Sequence, residues 1–290
     1  MTAKIIDGRT LSKRVRQEYR DRIQVLAVQG LRPGLAVVLV GEDPASRVYV
    51  GNKTKACEEI GIESTMIWLP ETITEEQLIA EIQMLNHDDA VDGILVQLPL
   101  PKHINNRRVL ETISKEKDVD GFHLYNVGSL VVGKTIFPPC TPYGVTLLLE
   151  SEGINVSGLN VVIVGASNIV GKPMALMMMQ QGATVSVCHA LTRDLAQYTI
   201  IADVLIVAAG VPGLITAPMI KRGCVVIDVG INKLADGSLT GDVDFAGVRQ
   251  KASHITPVPG GVGPMTVTML LKNTISSAER RAAQRLAIPA

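Results

Sequence analysis

Short apolar runs alternate with longer amphipathic stretches along most of the chain, and this alternation constrains the fold more than any other feature. Glycine, proline or aspartate bounds most of these runs. The pattern is typical of βα units, in which helices cover a parallel sheet, and it argues against an all-α or all-β fold. The predicted strands lie at residues 35–40, 64–69, 93–97, 160–164, 184–188, 203–208, 224–229 and 254–257.

Two segments rich in proline and glycine divide the 290-residue chain, at 138–142 and at 257–264. A length of this order favours two domains. We therefore predict an α/β fold in two domains with a cleft between them. The first is an N-terminal α/β domain at 1–139, completed by a C-terminal helix over about 265–285. The second is a Rossmann-like parallel-sheet domain at 140–264.

Composition excludes several classes of function. Lys plus Arg and Asp plus Glu both number 28, so the chain has no overall field to attract nucleic acid or an acidic membrane surface. No apolar run approaches the ~20 residues that span a bilayer. The polar N-terminal segment is unlike a signal peptide, so we expect a cytoplasmic protein. The four cysteines form no C-x-x-C pair and no cluster with zinc-ligand spacing, so no metal site is predicted.

Residues 161–173 (VVIVGASNIVGKP) read as a buried strand, a glycine turn and the start of a helix. Gly165 allows a sharp turn and close approach of a phosphate, while Ser167 offers a hydroxyl beside the positive end of the helix. Gly165 and Gly171 are six residues apart, so the generic dinucleotide fingerprint fits only partly. A glycine turn without a ligand stays open as the alternative.

The second strand of this unit ends at Cys188, with no acidic residue to hold a ribose 2′-hydroxyl. Arg193, Lys172 and His189 lie near this end and suit a 2′-phosphate, so NADP is favoured over NAD. Each of these residues is also explained as a solvated side chain. Ile231 follows a later strand, where it is expected either to contact the nicotinamide end or to belong to the core.

A second group of polar residues follows the strands of the first domain. Ser46, Tyr49 and Lys53 share one face of the predicted helix that follows strand 35–40, and Gln97 ends strand 93–97. Ligands of open α/β sheets bind beyond the carboxyl ends of strands, so we expect these side chains to meet at one edge. Taken by itself, the helical face is better explained as an ordinary exposed surface, and it is the second group at Gln97 that favours a site.

Asp120 stands beside Gly121 in the loop that follows this strand. A carboxylate held there can accept two parallel hydrogen bonds from an aminopyrimidine, whether a pterin or a guanine. The alternative is that Asp120 only caps its own turn.

Six motifs in order resemble the bifunctional methylenetetrahydrofolate dehydrogenase and methenyltetrahydrofolate cyclohydrolase family of the bacterial type, and together they cover nearly the whole chain. The motifs are DPASRVYVGNK (43–53), DGILVQLPLP (92–101), KDVDGF (117–122), PCTP (139–142), VGASNIVGKP (164–173) and PVPGGVGPMT (257–266).

The resemblance implies NADP-dependent oxidation of methylenetetrahydrofolate to the methenyl compound and hydrolysis to 10-formyltetrahydrofolate, in one-carbon metabolism and purine biosynthesis. It makes Lys53 the catalytic proton carrier, with Tyr49 stacking on the aminobenzoyl ring, Asp120 holding the pterin edge and Gln97 orienting the amine. It also implies a homodimer. The further substrate-binding candidates are Leu98, Pro99, Pro259, Gly260 and Gly261. The cofactor-binding candidates are Gly165, Ala166, Ser167, Ala190, Arg193 and Ile231.

This sequence departs from relatives at two cofactor positions. Many relatives have Arg at position 166, and some have Ser or Arg at position 190, whereas both positions are Ala here.

Three alternatives to this function remain open. One is another NADP reductase of the shikimate dehydrogenase kind, although its G-A-G-G turn is absent. The second is a nucleotide-binding regulatory module without catalysis, and the third is an enzyme that has lost one of the two activities.

Overall fold

The structure is a computed structural model that describes residues 2–287 and all side chains within them except those of residues 44, 45, 48 and 285–287. The strands are β1 (Lys4–Ile5), β2 (Gly34–Val40), β3 (Glu63–Leu69), β4 (Gly93–Val96), β5 (Asn160–Val164), β6 (Thr184–Cys188), β7 (Val204–Val207), β8 (Val225–Asp228), β9 (Asn232–Lys233), β10 (Leu239–Thr240) and β11 (His254–Ile255).

The helices are α1 (Gly8–Val28), α2 (Pro44–Ile60), α3 (Glu75–His87), α4 (Asn106–Thr112), α5 (Leu124–Val131), α6 (Cys140–Ser151), α7 (Gly171–Gln180), α8 (Leu195–Thr199), α9 (Phe245–Arg249) and α10 (Val262–Ala287). Among the described residues, no helix is long and apolar enough to cross a membrane.

The chain forms two compact units. One unit contains the predicted cofactor-binding residues and is named the nucleotide unit; it comprises residues 2–13 and 141–266. The other contains the predicted catalytic residues and is named the catalytic unit; it comprises residues 14–140 and 267–287. This division differs from the predicted domains at the N-terminus, because residues 1–139 were assigned to one domain. The difference arises because β1 hydrogen-bonds in parallel to β11 and so extends the sheet of the nucleotide unit.

The catalytic unit contains a parallel sheet in the order β3–β2–β4. All seven residues of the central strand β2 are buried, as expected for a parallel strand covered on both faces. The edge strand β3 instead alternates between exposed and partly buried residues. Val38 of β2, Ile82 of α3 and Val109 of α4 lie in one buried apolar cluster, which fixes the sheet under these helices.

The nucleotide unit contains a parallel sheet in the order β1–β11–β8–β7–β5–β6. Val162, Leu205 and Val226 occupy neighbouring strands and pack into one buried cluster. Apolar strands alternate with helices along this unit, and the strands form a parallel sheet. This arrangement confirms the predicted α/β class. Strands β9 and β10 form a separate antiparallel pair.

Local sequence signals define several helix starts. The Asp43 carboxylate accepts a hydrogen bond from the Ser46 amide at 2.7 Å and caps α2. Thr74 and Gln77 form a capping box at the start of α3. Helix α6 begins at Cys140 and includes Pro142 in its first turn. Proline is tolerated there because the first turn does not use its missing N–H.

Candidate active site

Tyr49 and Lys53 lie four residues apart on α2, which leaves the carboxyl end of β2. The spacing places both side chains on one face of the helix. The Lys53 Nζ atom lies 5.1 Å from the centroid of the Tyr49 ring, within the range of a cation–π contact. The predicted pairing of these residues is therefore present in the structure.

Gln97 follows β4 and joins this pair. The Lys53 Nζ donates a hydrogen bond to Gln97 Oε1 at 3.0 Å, and Gln97 Nε2 donates to the Leu98 carbonyl at 2.7 Å. The second bond orients the amide so that its oxygen faces the lysine. Lys53 is only 6% exposed, so its ammonium lies out of bulk water with a fixed acceptor.

The electrostatics of the site centre on Lys53 and Asp120. Burial lowers the pKa of Lys53, and the attraction of Asp120 opposes this shift. Burial raises the pKa of Asp120, and Lys53 together with the Cys140 thiol opposes that shift. The pKa of Tyr49 is also raised by burial, so its phenol stays protonated at neutral pH. A lysine with a lowered pKa exchanges protons near neutral pH more readily than an exposed one.

A neighbouring acid, Asp118, holds the loop that carries Asp120. The Asp118 carboxylate is buried and accepts hydrogen bonds from Asn126 Nδ2 at 2.7 Å, from the His123 amide at 2.8 Å and from the Phe122 amide at 3.2 Å. Burial raises the pKa of Asp118 to about 7. These bonds give Asp118 the turn-capping role that the sequence left open for Asp120.

Two buried residues of this region are missing from the sequence-based set. Cys140 Sγ donates to the Val119 carbonyl at 3.3 Å. Asn273 of α10 donates to the same carbonyl at 2.8 Å and to Pro138 O at 3.0 Å. Burial raises the pKa of Cys140 well above its usual value, so the thiol stays neutral. The PCTP motif was the available signal for Cys140, whereas no local pattern marks Asn273.

In the nucleotide unit, the predicted glycine turn follows β5. Gly165 has φ +119°, and a Cβ atom there would overlap the carbonyl oxygen of Ala208, so a side chain is excluded. The Ser167 hydroxyl accepts hydrogen bonds from the Val170 amide at 3.1 Å and the Gly171 amide at 3.4 Å. This turn brings backbone rather than side chains to the start of α7. Ala166 lies within it.

The turn after β6 is held by its own side chains. The His189 amide donates to Thr192 Oγ1 at 2.9 Å, and the Leu191 amide donates to His189 Nδ1 at 3.1 Å. Ala190 and Arg193 are exposed in this turn. Lys172, also considered for the phosphate, donates instead to Asn168 Oδ1 at 2.7 Å.

The remaining predicted residues divide between the two units. Leu98 and the exposed Pro99 follow Gln97 in the catalytic unit, whereas Pro259, Gly260 and Gly261 belong to the nucleotide unit. The Gly260 carbonyl accepts a hydrogen bond from the amide of Arg9 at 3.1 Å, at the start of α1. Ile231 also belongs to the nucleotide unit and is 50% exposed, so it is not a core residue there.

The four cysteines are free and buried. Among the described residues, no cluster of His, Cys, Asp and Glu side chains could hold a metal ion.

Family models match both parts of the chain. The catalytic-domain model of tetrahydrofolate dehydrogenase/cyclohydrolase matches residues 6–120, and the NAD(P)-binding-domain model matches residues 139–282. The "Bifunctional protein FolD" of Nitrosospira multiformis is 61% identical over 97% of this chain and 97% of that protein. The chain belongs to the tetrahydrofolate dehydrogenase/cyclohydrolase family. The resemblance inferred from the six motifs is therefore confirmed.

Other members of the tetrahydrofolate dehydrogenase/cyclohydrolase family agree with this assignment. The Bordetella bronchiseptica protein of the same name is 59% identical over 98% of this chain and its own full length. The Campylobacter jejuni methylenetetrahydrofolate dehydrogenase/cyclohydrolase structure has a TM-score of 0.95 and 54% identity, and covers 96% of this chain and 99% of its own.

The Trypanosoma brucei enzyme, solved with NADP cofactor and an inhibitor, has a TM-score of 0.94 and 39% identity, and covers 97% of this chain and 99% of its own. Shikimate 5-dehydrogenase of Thermus thermophilus reaches a TM-score of only 0.53 at 16% identity. That likeness is one of fold, so it gives no support to the shikimate dehydrogenase alternative.

Proposed function

We propose that this chain oxidises 5,10-methylenetetrahydrofolate with NADP and then hydrolyses the methenyl product to 10-formyltetrahydrofolate. The observation that carries this proposal is the buried Lys53 ammonium, hydrogen-bonded to Gln97 and paired electrostatically with Asp120. In a chain of this family, that group supplies the proton carrier that hydration of a methenyl carbon needs.

The nucleotide unit suits a dinucleotide at the carboxyl ends of β5 and β6. The Gly165 turn has no side chain, and the exposed Ile231 offers an apolar surface to a flat ring. These features fit NADP, with Gly165, Ala166, Ser167, Ala190 and Ile231 as its contacts. When bound, NADP accepts the hydride that leaves the methylene carbon. The chain contributes proximity and orientation to this step.

The hydrolysis step needs proton transfer. A water molecule adds to the methenyl carbon and loses one proton, which gives a neutral carbinolamine. The bond from that carbon to one ring nitrogen then breaks, and the remaining hydroxyl proton is released to solvent as the formyl C=O forms. Lys53 takes the first proton as its neutral amine and returns it to the departing nitrogen. Burial lowers the pKa of Lys53 and so favours its neutral form relative to an exposed lysine, and the amide oxygen of Gln97 keeps its Nζ in place.

Substrate binding is assigned to the residues around Lys53. Tyr49 stacks on the aminobenzoyl ring, and the Asp120 carboxylate holds the amino group and ring N–H of the pterin. Leu98 and Pro99 line the same strand end, and the bond from Gln97 to the Leu98 carbonyl keeps this segment fixed. From the family resemblance alone, Pro259, Gly260 and Gly261 are proposed as further substrate-binding residues.

We assign the 2′-phosphate of NADP to Arg193. Ala166 and Ala190 have no charged or hydroxyl group to offer, and Lys172 donates a hydrogen bond to Asn168. Arg193 is exposed on the turn after β6, where its guanidinium can bind a phosphate in a bidentate manner.

A homodimer is proposed from the family resemblance. Strand β6 ends the order of the described sheet, and Met179, Val187 and Tyr198 near it are exposed. An edge strand flanked by apolar side chains is suited to an interface with a second copy.

The test uses purified protein with methylenetetrahydrofolate and NADP, with NADPH and the methenyl compound followed separately by absorbance. We expect NADPH and 10-formyltetrahydrofolate to form. A second assay supplies the methenyl compound alone and measures its disappearance. If no reduced nucleotide forms with NADP or NAD, the dehydrogenase assignment fails, and nucleotide binding without catalysis becomes the better account. If the methenyl compound persists, the cyclohydrolase assignment fails.

A further inference from the structure

Two buried acids of the nucleotide unit do not take part in the proposed chemistry. We propose that Asp228 and Asp242 are positioning residues that hold the backbone receiving the nicotinamide half of NADP. This inference rests on the proposed function. Asp228 is 4% exposed and Asp242 is 0% exposed, so neither carboxylate lies on a surface that a ligand contacts.

Asp242 ties together two segments that follow neighbouring strands. Its Oδ2 atom accepts hydrogen bonds from the amides of Ala209 at 2.6 Å and Gly210 at 2.8 Å, just beyond β7. Its Oδ1 atom accepts from Asn232 Nδ2 at 2.8 Å, just beyond β8. One side chain therefore fixes the spacing between the ends of two adjacent strands.

Asp228 is the last residue of β8 and holds the segment that carries Asp242. Its Oδ1 accepts from the amides of Gly230 and Asp242, both at 3.0 Å, and its Oδ2 accepts from the amide of Val243 at 3.0 Å. Its own amide donates to Thr256 Oγ1 at 2.7 Å. The two acids thus form a continuous network across the carboxyl edge of the sheet.

The network leaves no space for alternative packing. A Cβ atom on Gly230 would overlap the Asp242 carboxylate, and a Cβ atom on Gly241 would overlap the Asp228 carboxylate. Each acid therefore lies directly against backbone. Such close approach favours a single arrangement of these loops over several similar ones.

The network reaches two candidate cofactor residues. Ile231 lies between Gly230 and Asn232, both of which are bonded to the acids, and yet its own side chain stays half-exposed. On the other side, Gly165 packs against the carbonyl of Ala208, the neighbour of the tethered Ala209. A half-exposed apolar side chain on a rigid loop is arranged to contact a ligand at low entropic cost.

The residue type matches this role. The partners of the two carboxylates are five backbone N–H groups and one side-chain amide, which are all donors. A carboxylate accepts at both oxygens, whereas the –NH₂ group of asparagine would face another donor. An Asp→Asn change therefore breaks part of the network while it preserves side-chain size.

The experiment compares Asp242→Asn and Asp228→Asn with Asp203→Asn in the full-length protein. Asp203 is the matched control. It accepts from the Asn160 amide at 2.8 Å and pairs with Lys221, but it lies at the amino ends of the strands. The measurements are the Kd of NADP by calorimetry, KM and kcat of the dehydrogenase, hydrolysis of supplied methenyltetrahydrofolate, and Tm.

We expect Asp242→Asn and Asp228→Asn to raise the Kd and KM of NADP by about tenfold or more, from the loss of charge-assisted bonds. Hydrolysis of the methenyl compound should stay within about twofold of wild type. Asp203→Asn should lower Tm and leave the Kd of NADP unchanged. If Asp242→Asn does not fold, Asn232→Ala, which keeps both carboxylates, is judged by the same criterion.

Two results would overturn the inference. One is wild-type NADP affinity in the variants of the network. The other is an equal rise of the Kd in Asp203→Asn at an equal loss of Tm, because the effect would then reflect the stability of the unit alone. Absence of dehydrogenase activity in the wild-type protein would instead count against the proposed function, so the two failures are distinguishable.

Discussion

Replacing Lys53 with methionine tests the proposed proton carrier most directly. Methionine preserves most of the apolar stem and removes the ammonium that donates to Gln97 Oε1 at 3.0 Å. General acid–base catalysis contributes about 10²- to 10⁴-fold, so we expect the cyclohydrolase kcat to fall by that factor. The dehydrogenase should keep most of its rate, because hydride transfer depends on orientation and needs no proton carrier.

Stability cannot account for a loss of that size. The lost hydrogen bond has a charged donor and costs about 1.5–3 kcal/mol, and the half-buried Gln97 can bond water in place of the lysine. Removal of a charge that is 6% exposed relieves a desolvation penalty of the opposite sign. A rate loss of 10²- to 10⁴-fold corresponds to about 3–5 kcal/mol, so the catalytic effect exceeds the stability effect.

The assay follows NADPH and methenyltetrahydrofolate separately during oxidation of methylenetetrahydrofolate. Wild type should release 10-formyltetrahydrofolate, whereas Lys53→Met should accumulate the methenyl compound while NADPH continues to form. Lys55→Met is the matched control, because Lys55 lies on the same helix but is exposed. Full cyclohydrolase activity in Lys53→Met, or an equal loss in Lys55→Met, would refute the assigned role.

Three further predictions follow from the same structure. Gly165→Ala should abolish NADP binding in calorimetry, because its Cβ overlaps Ala208 O, whereas Gly213→Ala, with φ +63° and open space, should retain it. Arg193→Ala should raise the KM for NADP by about tenfold and leave that for NAD unchanged, and equal changes would exclude the 2′-phosphate contact. The pKa of Asp118 is raised from 3.8 to about 7, so the folded state binds the extra proton. Its contribution to the free energy of unfolding should therefore increase as pH falls from about 7 to 4, by at most about 1.4 kcal/mol per pH unit. Urea titrations should show this slope reduced in Asp118→Asn, and an unchanged slope would contradict the assignment.

The sequence by itself determined the fold class and most of the elements. Runs such as LAVVLV and VVIV form strands because both faces of a covered parallel sheet require apolar residues. Such a strand can therefore be predicted from the few residues that form it. The caps at Asp43 and Thr74 are likewise local, since each side chain bonds an amide three residues away. Six ordered motifs were enough to identify the family, because each preserves the residue types that a site needs.

Only the tertiary structure decided how residues distant in sequence divide their roles. Asp118 and Asp120 are two positions apart, and burial beside Asn126 made the first a loop anchor. The pairing of Lys4–Ile5 with β11 could not be predicted from the sequence, because two residues carry no periodic pattern. The network of Asp228 and Asp242 could not be predicted either, because its hydrogen bonds join segments that are distant in sequence. Local periodicity reports burial of a segment, whereas the partner of a buried polar group is set by the packing of segments far apart in the chain.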